Sequence, residues 1–167
     1  MIVDKKKYSY NSGQPIQAAC LLYNITGEQK YLANASQIAL SAYKEWFSLY
    51  DSQELEEIFY CFNGDHAWFY AILFRGFIEL YKIDKSRIYI NAFEKSMLQA
   101  WQSECRDKTT NLLSNTYFVN EPQTFWEVLH EGAFVEMGDV SSTGDVGKRK
   151  FIKLNQFSNS LSKYPVN

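Results

Sequence analysis

Between Ala67 and Tyr81 the chain reads Ala-Trp-Phe-Tyr-Ala-Ile-Leu-Phe-Arg-Gly-Phe-Ile-Glu-Leu-Tyr, and only Arg75 and Glu79 are charged. A helix of that composition has almost no polar face, so other elements must enclose it. It is too short and too interrupted to span a bilayer, which takes about 20 apolar residues. The stretch beginning at Gly64 therefore predicts an interior helix over Asp65–Tyr81, with Asp65 suited to cap its start through a side-chain oxygen.

A second stretch of the same kind lies upstream. Pro15 suits the first turn of a helix over 15–24, and of Ile16 to Tyr23 only Gln17 is polar. Gly27 suits its end. The helix expected over 28–49 differs, because Tyr31, Ala35, Ile38, Ala42 and Trp46 form a single apolar stripe while Lys30, Asn34, Gln37, Lys44 and Glu45 fall elsewhere. Residues 51–63 read as a loop with one helical turn. After the greasy helix a second one-sided helix is expected from about Ser86 to Cys105, burying Tyr89, Phe93, Met97, Ala100 and Trp101.

The alternation repeats in letters, with Leu22-Tyr23 and Tyr31-Leu32 answering to Leu80-Tyr81 and Tyr89-Ile90. An offset of about 58 residues marks a helical-hairpin repeat, and such periods belong to stacked or circular arrays. A fifth helix is expected over 123–137, after a polar linker over 106–121. The result is an all-α fold of about five helices: a partial (α/α)6 toroid over residues 1–138, followed by a poorly structured polar tail over 139–167. A ring of six such pairs needs about 350 residues at that period, so the arc has open apolar edges, which predicts self-association.

Composition narrows the partners. Nineteen acidic against seventeen basic residues, a net charge of −2 and a pI near 5.7 provide no basic field for a phosphate backbone, so no nucleic-acid partner is expected. No membrane span is expected either, and the N-terminus lacks the apolar run of a signal peptide. Cys20, Cys61 and Cys105 have no metal spacing and are odd in number, so neither a metal site nor a full disulfide framework follows; Cys20 and Cys105 read as core thiols. No motif calls for a cofactor.

The letters also resemble a known family. Tyr8-Ser9-Tyr10-Asn11-Ser12-Gly13 with the following Leu22-Tyr23 to Ala35 run is similar to the Tyr-Asn-Gln-Gly segment of glycoside hydrolase family 76, the α-1,6-mannanases. Gly64 to Gly76 and Trp126 to Met137 resemble two further helices of that family, and the likeness covers residues 8–138. It implies a six-hairpin toroid whose groove cleaves α-mannan or a related oligosaccharide, in a secreted or periplasmic setting. The family's two adjacent catalytic aspartates are expected before Tyr8, and no Asp-Asp occurs in this sequence. The chain is thus expected to be a fragment without catalytic residues, inactive alone. The alternatives are a non-catalytic carbohydrate-binding module and a protein-interaction module of helical hairpins.

Sugar hydrolysis generally needs two carboxyls flanking the bond, and the acids present pair poorly for it. The substrate-binding candidates are Tyr10, Asn11, Asp65, His66 and Arg75. Tyr10 and Asn11 precede a greasy helix and suit either a turn or a pyranose, by ring stacking and amide hydrogen bonds. Asp65 reads as a cap or a groove residue, and His66 as a structural hydrogen-bonding group or a substrate contact. Arg75 lies four residues before Glu79, which predicts an ion pair along one helix face, with a sugar hydroxyl as the other reading. Glu131 and Glu136 read as solvated or structural, and Trp68 and Trp126 as core.

Overall fold

The structure, a computed structural model, describes residues 6–63, 66–114 and 128–143. In chain order the elements are α1 (Tyr10–Thr26), α2 (Gln29–Trp46), β1 (Phe47–Ser52), β2 (Glu57–Phe62), α3 (Ala67–Asp84), α4 (Ile88–Gln102) and α5 (Val128–Thr143). Among the described residues, five helices and one two-stranded ribbon make a partial helical toroid.

Three of these helices run side by side in one direction. Tyr10 meets Trp68 at the starts of α1 and α3, and Gly13 lies against Ile72 and Gly76 farther along. His66 meets His130 at the entry to α3 and the start of α5, and Arg75 meets Glu136 two turns on. This is the inner row, with α2 and α4 outside it. The greasiest helix, α3, is central and buries Ala67, Phe69, Tyr70, Ala71, Leu73, Phe74, Gly76, Phe77 and Leu80.

The contact between α1 and α3 is backbone on backbone. A Cβ on Gly13 would stand 2.3 Å from the carbonyl oxygen of Ile72, and one on Gly76 would stand 2.7 Å from that of Gly13. Only glycine permits this approach. The 58-residue repeat appears in the geometry as well. Helix α1 ends at Gly27 and α3 at Lys85, both left-handed, at φ 71° and 60°. At the same offset Ala35 answers to Phe93, Ala39 to Met97 and Ala42 to Ala100, all buried.

The expected loop over 51–63 is instead the second half of an antiparallel ribbon, in which Phe47 pairs with Phe62 and Ser52 with Glu57. The cause is tertiary. Strands need a surface to bury one face, and α4 provides it: Phe62 N–H donates to Ser96 Oγ (3.2 Å), the Ser52 hydroxyl bonds Gln99, and Lys95 pairs with Glu57. Phe47 and Phe62 join Tyr70, Phe77 and Phe93 in an aromatic core. Tyr70, fully buried, shares its hydroxyl proton between the carbonyls of Asn63 (2.8 Å) and Trp46 (3.3 Å), clamping the open end of the ribbon where its two strands enter and leave. Tyr70→Phe would leave the Asn63 carbonyl short of a donor, the Trp46 carbonyl keeping the Asn63 N–H (3.0 Å), and is expected to cost about 1–3 kcal/mol in urea unfolding; an unchanged midpoint would refute the clamp.

Other boundaries shift. Helix α1 begins at Tyr10, with Pro15 inside it, because Tyr10 and Gly13 already pack on α3. It is also not interior all round: Leu21, Leu22 and Ile25 are exposed, whereas Leu80, the counterpart of Leu22, is buried. Helix α4 stops at Gln102, so Cys105 sits half-buried in the following turn, while Cys20 is buried; all three thiols are free. Helix α5 continues to Thr143, past the expected end at Met137. Residues 123–127, with Phe125 and Trp126, lie outside the described part, as do 144–167 of the tail. No described helix is long and apolar enough to cross a membrane.

Candidate functional site

The starts of α1 and α3 gather aromatic rings. Tyr10 opens α1 and lies between Tyr8, stacked at 5.5 Å, and Trp68, stacked at 5.8 Å with planes 14° apart. Phe69 sits beneath as a hub, edge-on to Tyr8 at 5.3 Å, to Tyr10 at 4.8 Å and to Trp68 at 4.0 Å. It is buried; Tyr8, Tyr10 and Trp68 are each half-buried. Partly open ring faces on a packed base are the geometry on which a flat apolar ligand face stacks.

Imidazoles continue the row. His66 precedes α3 in extended conformation, meets Phe69 edge-on at 5.3 Å, and stacks on His130 of α5 at 5.2 Å with planes 7° apart. His66 is exposed, and His130 is buried. Next to His130, the buried Glu131 accepts the Leu113 N–H at 3.2 Å. Burial pushes the Glu131 carboxyl up to about 7, and the Leu113 hydrogen bond opposes part of that rise. Its role is to hold the 106–113 turn, itself closed by an Arg106–Leu113 bridge, against α5.

The sequence candidates separate in space. Tyr10 and His66 come together through Phe69. Asn11 is exposed one residue into α1, its N–H donating to the Tyr8 carbonyl (3.1 Å), and it faces a cleft toward α2. Asp65 lies outside the described residues. Arg75 is nine residues beyond His66, about 14 Å along the helix axis. Its guanidinium makes a two-pronged pair with Glu136, with Nη2 to Oε2 at 2.6 Å, instead of the expected pair with Glu79. Glu79 pairs with Lys82 at 2.7 Å. The inter-helix partner wins because a planar guanidinium and a carboxylate across the α3–α5 seam form two parallel hydrogen bonds, which one helix face does not offer at four-residue spacing.

Sequence reasoning did not place Trp68, Phe69 or His130 in the site. The repeat offset holds a signal for the first, since it sets Trp68 against Tyr10. Nothing comparable marks His130, which falls outside the 58-residue register. Among the described residues no group of three or more His, Cys, Asp or Glu side chains is placed to hold a metal ion.

The family description "Glycosyl hydrolase family 76" matches residues 1–141. A glycoside hydrolase family 76 mannosidase from Bacteroides thetaiotaomicron VPI-5482 superposes with a TM-score of 0.76 at 53% identity, covering 81% of this chain and 36% of that one. A family 76 glycoside hydrolase from a bovine Bacteroides thetaiotaomicron strain gives 0.77 at 39% identity, covering 82% and 29% respectively. The chain thus spans about a third of the length of these solved structures. No curated protein matches it. With the family description covering most of its length and solved members at 53% and 39% identity, the chain belongs to glycosyl hydrolase family 76.

Proposed function

We propose that this chain forms one wall of the sugar groove of an α-mannan-degrading glycoside hydrolase, binding α-1,6-linked mannose or a related oligosaccharide without supplying the catalytic carboxylate pair. The observation that carries this reading is the stacked run Tyr8–Tyr10–Trp68, continued by His66, at the common start of the inner helices. Ring faces stack on the C–H faces of a pyranose, while Asn11 and the exposed His66 offer hydrogen bonds to its hydroxyls. Asp65 joins the proposal by adjacency to His66 in sequence. Arg75, engaged with Glu136, ties α5 to α3 and stays outside the groove.

Calorimetric titration with α-1,6-mannobiose tests it. Saturable binding is expected, weakened about tenfold or more by Tyr10→Ala, a loss of about 1.4 kcal/mol, and unchanged by Arg75→Ala. A flat titration would remove the reading and favour a protein-interaction module. No hydrolysis of α-mannan by this chain alone is expected; turnover would overturn the fragment reading. The exposed Leu21, Leu22 and Ile25 on α1 support self-association through the open edge. Light scattering is expected to give a mass above 19.5 kDa at high concentration, and a sharp monomer peak would contradict it.

A further inference from the structure

Among the described residues two arginines are held by glutamates, Arg75 by Glu136 and Arg87 by Glu94. Arg106 is not. Its guanidinium lies over the Trp101 indole, 4.3 Å from the ring centroid, and its Nε is buried with no hydrogen-bond partner among the described residues. Both side chains are half-buried. No described acid pairs with Arg106, although Glu104 and Asp107 flank it: Glu104 is exposed, and Asp107 turns inward to accept the Thr109 and Thr110 N–H groups at 2.6 and 3.1 Å. A partly buried charge without a counter-charge costs free energy that an anionic partner would recover. The turn that carries it lies at the end where α5 starts and α3 is entered. Arg106 forms a bridge with Leu113, the Leu113 N–H donates to Glu131, and the neighbouring His130 stacks on His66.

We propose that Arg106, backed by Trp101, is a subsite for an anionic substituent on a carbohydrate, a carboxylate or a phosphate carried by the sugar chain. The side-chain chemistry selects that class. A planar guanidinium presents parallel N–H groups that match two oxygens of a carboxylate or phosphate, and stacking on an indole fixes the plane of the fork before a ligand arrives. Side chains ordered in advance lose less freedom on binding. The chain as a whole carries a net charge of −2 and offers an anion no general attraction, so a preference for anionic sugars has to be local. The inference rests on the sugar-groove reading for the kind of molecule that bears the anion.

Calorimetric titrations of the full chain at low salt compare mannose with mannose 6-phosphate and mannuronic acid, which separate a phosphate from a carboxylate. At least one anionic sugar is expected to bind about tenfold or more tighter than mannose. Arg106→Gln should abolish that gain, whereas Lys108→Gln, which removes an exposed cation two residues away, should keep it. Melting temperatures show that the variants fold. If Arg106→Gln does not, Arg106→Lys is read in its place and should lose most of the gain, because a point charge does not make the two parallel bonds. The proposal fails if neither anionic sugar exceeds mannose, if a folded Arg106 variant keeps the gain, or if Lys108→Gln removes it. It fails too if inorganic phosphate alone binds as tightly as mannose 6-phosphate, which would make the site one for free anions. α-1,6-Mannobiose titrated alongside keeps the two readings apart. Mannobiose binding without an anion gain sinks the subsite alone; an Arg106-dependent gain without mannobiose binding upholds the subsite and removes the groove.

Discussion

Gly13→Ala is expected to destabilise the chain by about 3 kcal/mol or more, the upper end of what an added methyl costs in a packed interior. The new Cβ would stand 2.3 Å from the Ile72 carbonyl oxygen and 2.7 Å from the Leu73 Cα. Both are backbone atoms of a helix, so no side chain can swing aside; the two inner helices must separate. At roughly 3 °C per kcal/mol for a chain of this size, thermal unfolding should begin about 10 °C lower. Gly132→Ala is the matched control. It lies on exposed α5 backbone with nothing within 4 Å of a new Cβ, and the better helix propensity of alanine should raise stability by up to about 1 kcal/mol. If both variants melt like the parent, the close crossing of α1 and α3 is wrong.

Glu131→Gln should change the pH dependence of stability. In the folded chain burial holds the proton on this carboxyl up to about pH 7, whereas the unfolded chain releases it near the ordinary value of 4.5. Between those values the folded state binds the extra proton. Stability from this group is therefore greatest below about pH 4.5 and declines as pH rises to about 7. The gap corresponds to about 3 kcal/mol. Glutamine keeps an oxygen to accept the Leu113 N–H and never ionises. The variant should gain about 2–3 kcal/mol over the parent near pH 8 and differ little from it near pH 4.5, read from urea unfolding at both. Equal stability at the higher pH would show that Glu131 carries its charge in the folded chain at little cost.

The two predictions probe opposite ends of what the letters reveal. Gly76 lies in a helix whose apolar sequence already demands neighbours, but Gly13 falls before the helix expected over 15–24, so the close crossing appears only once α1 starts at Tyr10. Glu131 sits on a helix that reads as mixed in character, and its carboxyl looks solvated by composition. In the folded chain it is buried, with the Leu113 N–H of the 106–113 turn donating to it.

The same division runs through the site. The sequence puts Tyr10 and His66 at the starts of greasy helices. Their meeting through Phe69 was not legible there, because it depends on α1 and α3 lying parallel at a particular height. Trp68 reads as core until Tyr10 stacks on it. Arg75 has an acid at helical spacing in Glu79, yet Glu136, 61 residues away, binds its guanidinium by two prongs. Spacing along one helix predicts an available partner, while packing decides between that partner and a better one across a seam.

By itself the sequence determined the helices, their alternation between fully apolar and one-sided, and the 58-residue repeat, because these follow from local periodicity and from which side chains water rejects. Tertiary structure decided that 47–62 is a ribbon, that α1 keeps one side open, and that rings and imidazoles converge at one end of the inner row. Those outcomes depend on which surface lies opposite, as the seat on α4 does for Phe62, and no run of neighbouring residues encodes that surface.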